Sequence, residues 1–464
     1  MLDSTIQTEV DQLLQQHPNT EAIDLLISDL NGIVRGKRID ISALNKVADE
    51  GVALPASVFS LDATGNTIEE CGLGLHIGEP DRTCLVSPGS LQPIPWQKRP
   101  MAQALMSMYE ADGTPFFADP RHVLASVLDK FKALGLTPVI AVELEFYLID
   151  SERSAQGYPQ PPLSPKTGKR EQHKQVYSVD LLDEYGDFLD DIAAFTAAQN
   201  IPADTAVVEY APGQFEINLK HQNDPLAACD NAVLLKRAIK AVAGKHGMEA
   251  SFMAKPYEEE AGNGMHVHIS LVNEQGDNAF SATGQRAEAA EMLNQTMAWA
   301  IAGVLQLMPE SMALFCPNVN SYRRLRPEYY VPMAANWGID NRTTAVRIPN
   351  SPAHARRLEH RVSGADANPY LVVAAILASM HYGICQQQEP GKPAENNAFD
   401  SDSDSQKLPI RLTDALQALE QSDILREYFG DAFINLYTTS KQGELSEFER
   451  HVTALETQWF LTTF

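Results

Sequence analysis

Four short segments of this chain alternate between mostly apolar side chains and carboxylates, imidazoles or guanidiniums. They are Val142-Glu143-Leu144-Glu145-Phe146, Gln214-Phe215-Glu216-Ile217-Asn218, Met265-His266-Val267-His268-Ile269-Ser270 and Arg357-Leu358-Glu359-His360-Arg361. A period of two belongs to a strand, whose side chains point by turns to opposite faces. A face that only meets water does not need this selection of groups. Carboxylates, imidazoles and arginines on the inner faces of one sheet would make a polar cavity able to hold divalent cations and phosphates. The pattern predicts a sheet wrapped around a charged site, and metal-dependent phosphoryl chemistry within it.

The 464 residues are enough for a large core and more than one domain. Apolar content of 44% and charged content of 21% are those of an ordinary globular protein. No uninterrupted apolar run reaches about 18 residues, so no membrane span is expected, and the polar stretch Met1 to Gln16 lacks a signal pattern. Five scattered cysteines (Cys71, Cys84, Cys229, Cys316, Cys385) fit reduced thiols and a cytoplasmic location rather than a disulfide or zinc framework. A formal net charge of −25 argues against nucleic-acid binding, which needs a basic stripe. The same charge attracts cations, polyamines included, and also serves plain solubility.

Ala22 to Ser28, the turn Asp29-Leu30-Asn31-Gly32 and Ile33 to Arg38 read as a hairpin. Asp119-Pro120 reads as the cap and first residue of a helix, and the domain boundary is placed there, giving 1–118 and 119–464. Beyond it helices and strands alternate in an α/β pattern: helix 123–134, strand 138–149, helix 181–199, strand pair 205–219, helix 226–246, strands 249–254 and 264–272, helix 286–307, and a helical tail from Thr413. Residues 152–176 read as a mobile loop, and 389–407 as an exposed low-complexity loop.

Glu143 with Glu145 alone would be a solvated strand face. Joined by Glu209 and Glu216 across the Ala211-Pro212-Gly213-Gln214 turn, and by His266 and Glu359, they form a ligand set suited to Mg2+ or Mn2+. His266-x-His268 on a strand also occurs in zinc hydrolases. Arg342 and Arg347 read as clamps for phosphate or carboxylate, whereas Arg323 and Arg356 read as surface ion pairs. No Walker-type loop or Gly-x-Gly-x-x-Gly follows a strand.

In order along nearly the whole chain stand Lys255-Pro256, Gly262-Asn263-Gly264-Met265-His266-Val267-His268, Asn318 with Asn320-Ser321-Tyr322-Arg323-Arg324, Asn341-Arg342, Arg347-Ile348-Pro349, Arg356-Arg357-Leu358-Glu359 with Arg361, and Asn368-Pro369-Tyr370. This series resembles the glutamine synthetase family, and within it the branch that makes γ-glutamyl amides of putrescine and other polyamines. The resemblance implies a mixed α+β and α/β fold: an N-terminal β-grasp domain and a catalytic half-barrel of curved antiparallel sheet with helices. It implies one ion on Glu145, Glu209 and Glu216 and a second on Glu143, His266 and Glu359. ATP would contact His268, Ser270, Arg342, Arg347 and Arg357. Glutamate would meet Gly262, Arg324 and Arg361, with His266 beside it. The family assembles as stacked rings with active sites between subunits, so a homododecamer is expected.

Two departures bear on the acceptor. The family's ammonium-binding Asp-Gly-Ser-Ser segment corresponds here to Leu54-Pro55-Ala56-Ser57-Val58, without a carboxylate. The flap glutamate after Arg324-Leu325-Arg326-Pro327 is replaced by Tyr330, with Glu328 two residues off. Ammonium needs anionic partners when it leaves water, so the expected reaction is ATP-dependent ligation of glutamate to an organic amine such as putrescine, with ammonia as the alternative acceptor. Glu209, Tyr330 and Glu328 are candidate bases, and Glu258-Glu259-Glu260 a candidate seat for a distal ammonium. The loop 396–407 carries Phe399 but no tyrosine, so tyrosine adenylylation is not expected.

Overall fold

The computed structural model describes residues 4–281, 293–326, 330–399 and 405–464. Among these, two sheets organise the chain. The first has the strand order Val34–Asp40, Ala22–Ser28, Met101–Tyr109, Asp81–Val86, Val52–Pro55, with Gln92–Pro93 added on Met101–Tyr109. Its hairpin forms as the sequence predicts, Ser28 facing Val34 and Ala22 facing Asp40. Gly32 supplies the left-handed turn residue at φ +72°. Ala22–Ser28 pairs in parallel with Met101–Tyr109, so the long connection between them carries the other strands.

The second sheet runs Trp337–Ile339, Val346–Ile348, Leu358–His360, Met265–Asn273, Leu136–Asp150, Gln214–Leu219, Ala203–Val208, with Met248–Ser251 also on Leu136–Asp150. It is antiparallel apart from the Trp337–Ile339 and Val346–Ile348 pair. The 15-residue Leu136–Asp150 strand is the spine, because three other strands pair along it. Its odd positions, Val139, Ala141, Glu143 and Glu145, share one face, while Ile140, Val142, Leu144 and Phe146 enter the core.

Helix Pro120–Ala133 begins where expected, the Asp119 carboxylate accepting from the Arg121 N–H at 2.9 Å. The single helix expected over 181–199 is two, Val179–Glu184 and Gly186–Ala198, broken at Tyr185, whose buried ring packs edge-on against Phe215. The helix expected at 286–307 runs instead over Gln295–Phe315. Asn294 caps it by accepting from Met297 N–H, and 286–292 lie outside the described residues. Residues 152–176 are pinned at several points: Arg170 to Asp150 (2.5 Å), Ser164 to Glu184 (2.6 Å) and Gly213 N–H to Glu171 (3.2 Å).

Helices Gln295–Phe315 and Pro369–Gln386 are long and apolar enough to cross a membrane by length and composition alone, a test that buried core helices also pass. Of an apolar 18-residue stretch in each, 78% and 72% is buried inside the protein, and the two helices cross at Gly303 and Gly383. A Cβ on Gly303 would lie 2.0 Å from the Ser379 carbonyl oxygen, and one on Gly383 2.1 Å from that of Trp299. Backbone cannot yield as a flexible side chain can, so Gly383→Ala is expected to destabilise by about 1–3 kcal/mol. A lower urea midpoint at unchanged slope would show this; an unchanged midpoint would contradict the close crossing.

Candidate active site

The register of the second sheet assembles the charged face. Glu143 stands opposite His266 on one side and Asn218 on the other, and Glu145 opposite Glu216. Glu359 faces His268 on one side and Arg347 on the other. Directly opposed residues in antiparallel strands point to the same face, so these rows merge into one field. Val207 faces Glu216, and Glu209, two residues on, joins that face. The intervening turn depends on Gly213 at φ +76°, where a Cβ would meet the Leu148 carbonyl oxygen at 2.8 Å.

Three groups have ligand atoms within 4.8 Å of one another: Glu145, Glu209, Glu216; Glu143, Glu216, His266; and Glu143, His268, Glu359. The first is the triad expected for one ion. The second expected set, Glu143, His266 and Glu359, is spread over two overlapping groups. His266 Nδ1 lies 3.2 Å from Glu143 and 4.0 Å from Glu359, while His268 Nε2 is 2.7 Å from Glu143. His268 Nδ1 lies 3.2 Å from Arg357 Nε, which donates to it. Its Nε2 therefore carries the proton given to Glu143. Ser270 is on the same strand face two residues further.

Charge is compensated unevenly. Burial favours the neutral form of Glu143, but hydrogen bonds from His266 and His268 outweigh it and hold the carboxyl well below the usual range. Burial likewise opposes ionisation of Glu359, yet Arg361, then His268 and His266, bring it to about 2. Arg347 Nη1 donates to Glu359 at 2.8 Å and Arg361 also bonds it. The Glu145, Glu209 and Glu216 triad lacks such partners. Burial, then the Glu145 charge, pushes Glu209 to about 8. Burial, then Glu143, Glu145 and Glu209, pushes Glu216 to about 9. Two unit charges about 4 Å apart repel by about 4 kcal/mol at an effective dielectric constant of about 20, so repulsion within the triad adds to the larger effect of burial. An all-oxygen triad short of positive charge fits a hard divalent cation, and the neighbouring set with imidazole also suits Mn2+.

Guanidinium groups border the same field. Among the described residues the buried Nε groups of Arg347 and Arg361 have no hydrogen-bond partner, a departure from the rule that buried donors are paired. Arg347 Nη2 is held by Asp340 at 2.5 Å, and Arg342 is exposed near Glu209, whose ionisation it favours. Arg324 is buried, donating to the Val362 carbonyl at 2.8 Å. Its stem fills the space beside Gly262, where a Cβ would meet Arg324 Cγ at 2.7 Å. Gly264 N–H donates to Glu145 at 2.6 Å. Lys255 and Asn320 exchange two backbone-to-amide bonds, 2.8 and 3.0 Å, so the loop after Lys255 is tied to the Asn318–Arg324 segment.

Some expectations fall elsewhere. Tyr330 is 60% exposed, at φ +57°, with no hydrogen bond among the described residues, and Glu328 lies outside them. Arg323 is exposed and Arg356 buried, and among the described residues neither makes the surface ion pair expected, nor do the Nε and Nη1 of Arg356 have a hydrogen-bond partner. Glu260 is taken by Lys174 at 3.4 Å, leaving Glu258 and Glu259 exposed. Sequence reading passed over Asn218, although it stands two residues after Glu216 on the same face. It also passed over His221, just past that strand, whose ring meets His268 edge-on at 6.1 Å.

A chain that sets this carboxylate field beside these arginines belongs to the glutamine synthetase family: the family's catalytic domain, described as "Glutamine synthetase, catalytic domain", matches residues 117–460. Within the family it is 48% identical to the γ-glutamylputrescine synthetase PuuA of Escherichia coli K12, over 99% of this chain and 95% of that one. It is 32% identical to a glutamate–isopropylamine ligase of a Pseudomonas species, over 95% and 94% of the two chains. The solved structure titled "GmaS/ADP complex-Conformation 1" superposes with a TM-score of 0.84 at 28% identity, over 99% of this chain and 100% of that one. The fold is the mixed α/β fold of this family, with curved sheets.

An unfolded carboxyl titrates near 4.3. Folded values of about 8 and 9 for Glu209 and Glu216 make the folded chain the tighter proton binder, so these groups lose stability for the fold as pH rises through that range. A divalent cation takes their ionised form and removes the loss. The melting-temperature gain of Mg2+- or Mn2+-loaded over chelated protein is expected to grow from about pH 6 to about pH 9. Lys236 and Lys255, lowered by burial to about 7 and about 8, drive the absolute midpoint the other way, so the difference is the readout. Glu216→Gln should flatten it; a gain independent of pH in the unsubstituted protein would contradict the assignment.

Proposed function

We propose that this chain ligates the γ-carboxylate of glutamate to a primary amine of putrescine or another polyamine, at the expense of ATP, in polyamine breakdown. The observation that carries the chemistry is the register that sets the Glu145, Glu209 and Glu216 triad beside arginines whose buried Nε groups lack partners among the described residues. Divalent metal bound there, Mg2+ or Mn2+, supplies charge neutralisation for phosphoryl transfer. Arg342 and Arg347 compensate the charge of the migrating phosphoryl group, and Arg324 and Arg361 orient glutamate. Catalysis of this kind is mainly positioning and electrostatic stabilisation. Transfer to the γ-carboxylate turns it into an acyl phosphate, which the amine attacks with loss of phosphate.

The acceptor follows from what stands at the ammonium position. The strand Val52–Pro55 runs into Ala56–Ser60, all buried and without a charge. No carboxylate there pays for desolvating ammonium, whereas an organic amine brings methylenes that an uncharged wall accepts. Exposed Glu258 and Glu259 are free to meet a distal ammonium. Of the candidate bases among the described residues, Glu209 lies within the carboxylate field and Tyr330 is exposed. The same reading divides the chain into a β-grasp domain, 1–118, and a catalytic domain, 119–464. It places the enzyme in the cytoplasm, in keeping with its free cysteines. It also makes it a ring-forming homo-oligomer, a dodecamer, in keeping with the exposed Leu455, Trp459 and Phe464 of the C-terminal segment.

Phosphate release from ATP and glutamate, with product mass, is to be measured against ammonium, putrescine, cadaverine, spermidine, spermine and ethanolamine. Fast turnover with diamines and little with ammonium is expected. Ammonium as the best acceptor would overturn the reading of Pro55 and Tyr330. Arg347→Gln is expected to lower kcat about 10²–10³-fold; an unchanged kcat would remove Arg347 from the phosphate clamp.

A further inference from the structure

Away from the carboxylate field, a cleft of about 810 Å³ opens between the first sheet and the Pro225–Lys245 helix. In a chain of net charge −25 it collects Arg38, Lys236, Arg237 and Lys240 around the rings of Trp96 and Phe252. The two arginines are paired with one acid, Asp24, which bonds Arg38 Nε at 2.7 Å through one oxygen and Arg237 Nη2 at 2.7 Å through the other.

The two lysines are not. They stand one helical turn apart, where like charges repel. Both ammonium groups lie over Phe252, 5.6 and 5.7 Å from the ring centre, and neither has an ion-pair partner among the described residues. Lys236 donates to the carbonyls of Ala365 (2.6 Å) and Ala367 (3.2 Å), which leaves its third N–H. Asp366, between them, gives one oxygen to Asn318 (2.8 Å) and Ser321 (2.6 Å). Burial, and the nearby Lys240 charge, bring Lys236 down to about 7. The cleft thus sets two lysines, without an ion-pair partner among the described residues, beside the rings of Trp96 and Phe252.

We propose that this cleft is a binding site for a small organic anion, whose phosphate or carboxylate group sits between Lys236 and Lys240 and whose apolar body lies against Trp96 and Phe252. Its walls touch the catalytic machinery. Ala365 N–H donates to the Asn263 carbonyl at 3.0 Å, and Asp366 anchors the segment that ends in Arg324. An anion that draws Lys236 off the Ala365 and Ala367 carbonyls would alter the KM for glutamate. That coupling, unlike the binding, rests on the reading of Arg324 and Arg361 as glutamate-binding groups.

The test is calorimetric titration of the full-length, Mg2+-loaded protein with inorganic phosphate and with succinate at constant ionic strength. A non-hydrolysable ATP analogue and glutamate are kept saturating to occupy the catalytic anion sites. Saturable binding of one anion per chain is expected, with phosphate alone or succinate alone identifying the group recognised. Lys240→Gln, at the exposed rim of the cleft, should weaken it at least tenfold while turnover without added anion is unchanged, and Lys240→Arg should retain it. No saturable binding of either anion, or binding of equal strength in Lys240→Gln, would overturn the proposal. Binding with no change in glutamate KM would leave the site standing and remove the coupling.

Discussion

Five carboxylates on one face of one sheet cannot all ionise without cations among them, and the structure is arranged around that demand. Glu143, Glu145, Glu209, Glu216 and Glu359 sit half-buried or buried, where water screens them poorly. The fold answers in two ways. It brings Arg347, Arg361, His266 and His268 to Glu143 and Glu359, which stay ionised. It brings nothing comparable to Glu209 and Glu216, whose carboxyls rise to about 8 and about 9. Neighbouring imidazoles and guanidiniums balance one half of the field, and the other half is left short of positive charge. The asymmetry would make the two ions that the family resemblance implies inequivalent.

Rigidity of the strands makes this affordable. Glu143 and Glu145 lie on the central strand, paired on both sides, and their alternate neighbours Val142, Leu144 and Phe146 are fully buried. A slip of one residue would turn the carboxylates into the core and these side chains out, so apolar burial fixes the register that assembles the charges. Loop groups complete the frame: Asn263 donates to the Met253 carbonyl at 2.9 Å, and Gly264 N–H fixes Glu145. The amine specificity proposed above is written in a different place, the uncharged Ala56–Ser60 turn of the first sheet.

Much of this was legible in the sequence because a period of two is a local signal. The four alternating segments became strands, the Asn31-Gly32 hairpin formed, and Asp119-Pro120 opened its helix. What was not legible depends on contacts distant in sequence. Nothing local says that His268 rather than His266 makes the shorter bond to Glu143, since that follows from the offset between strands. Arg356 reads like a surface residue but is buried without an acid, and residues 152–176 read as loose because their anchors, Glu184 and Gly213, lie on other elements. The helix expected at 286 starts at Gln295 because the Asn294 cap, not the apolar run alone, sets its first turn.

The central claim is that the carboxylate field holds two inequivalent ions. Titration with Mn2+, following free metal by electron paramagnetic resonance and released protons with a pH indicator, tests it most directly. Two ions per chain are predicted near neutral pH, with protons released as Glu209 and Glu216 ionise, and with one ion and most of the protons lost in Glu216→Gln. A single ion per chain, or two bound without proton release, would contradict the account.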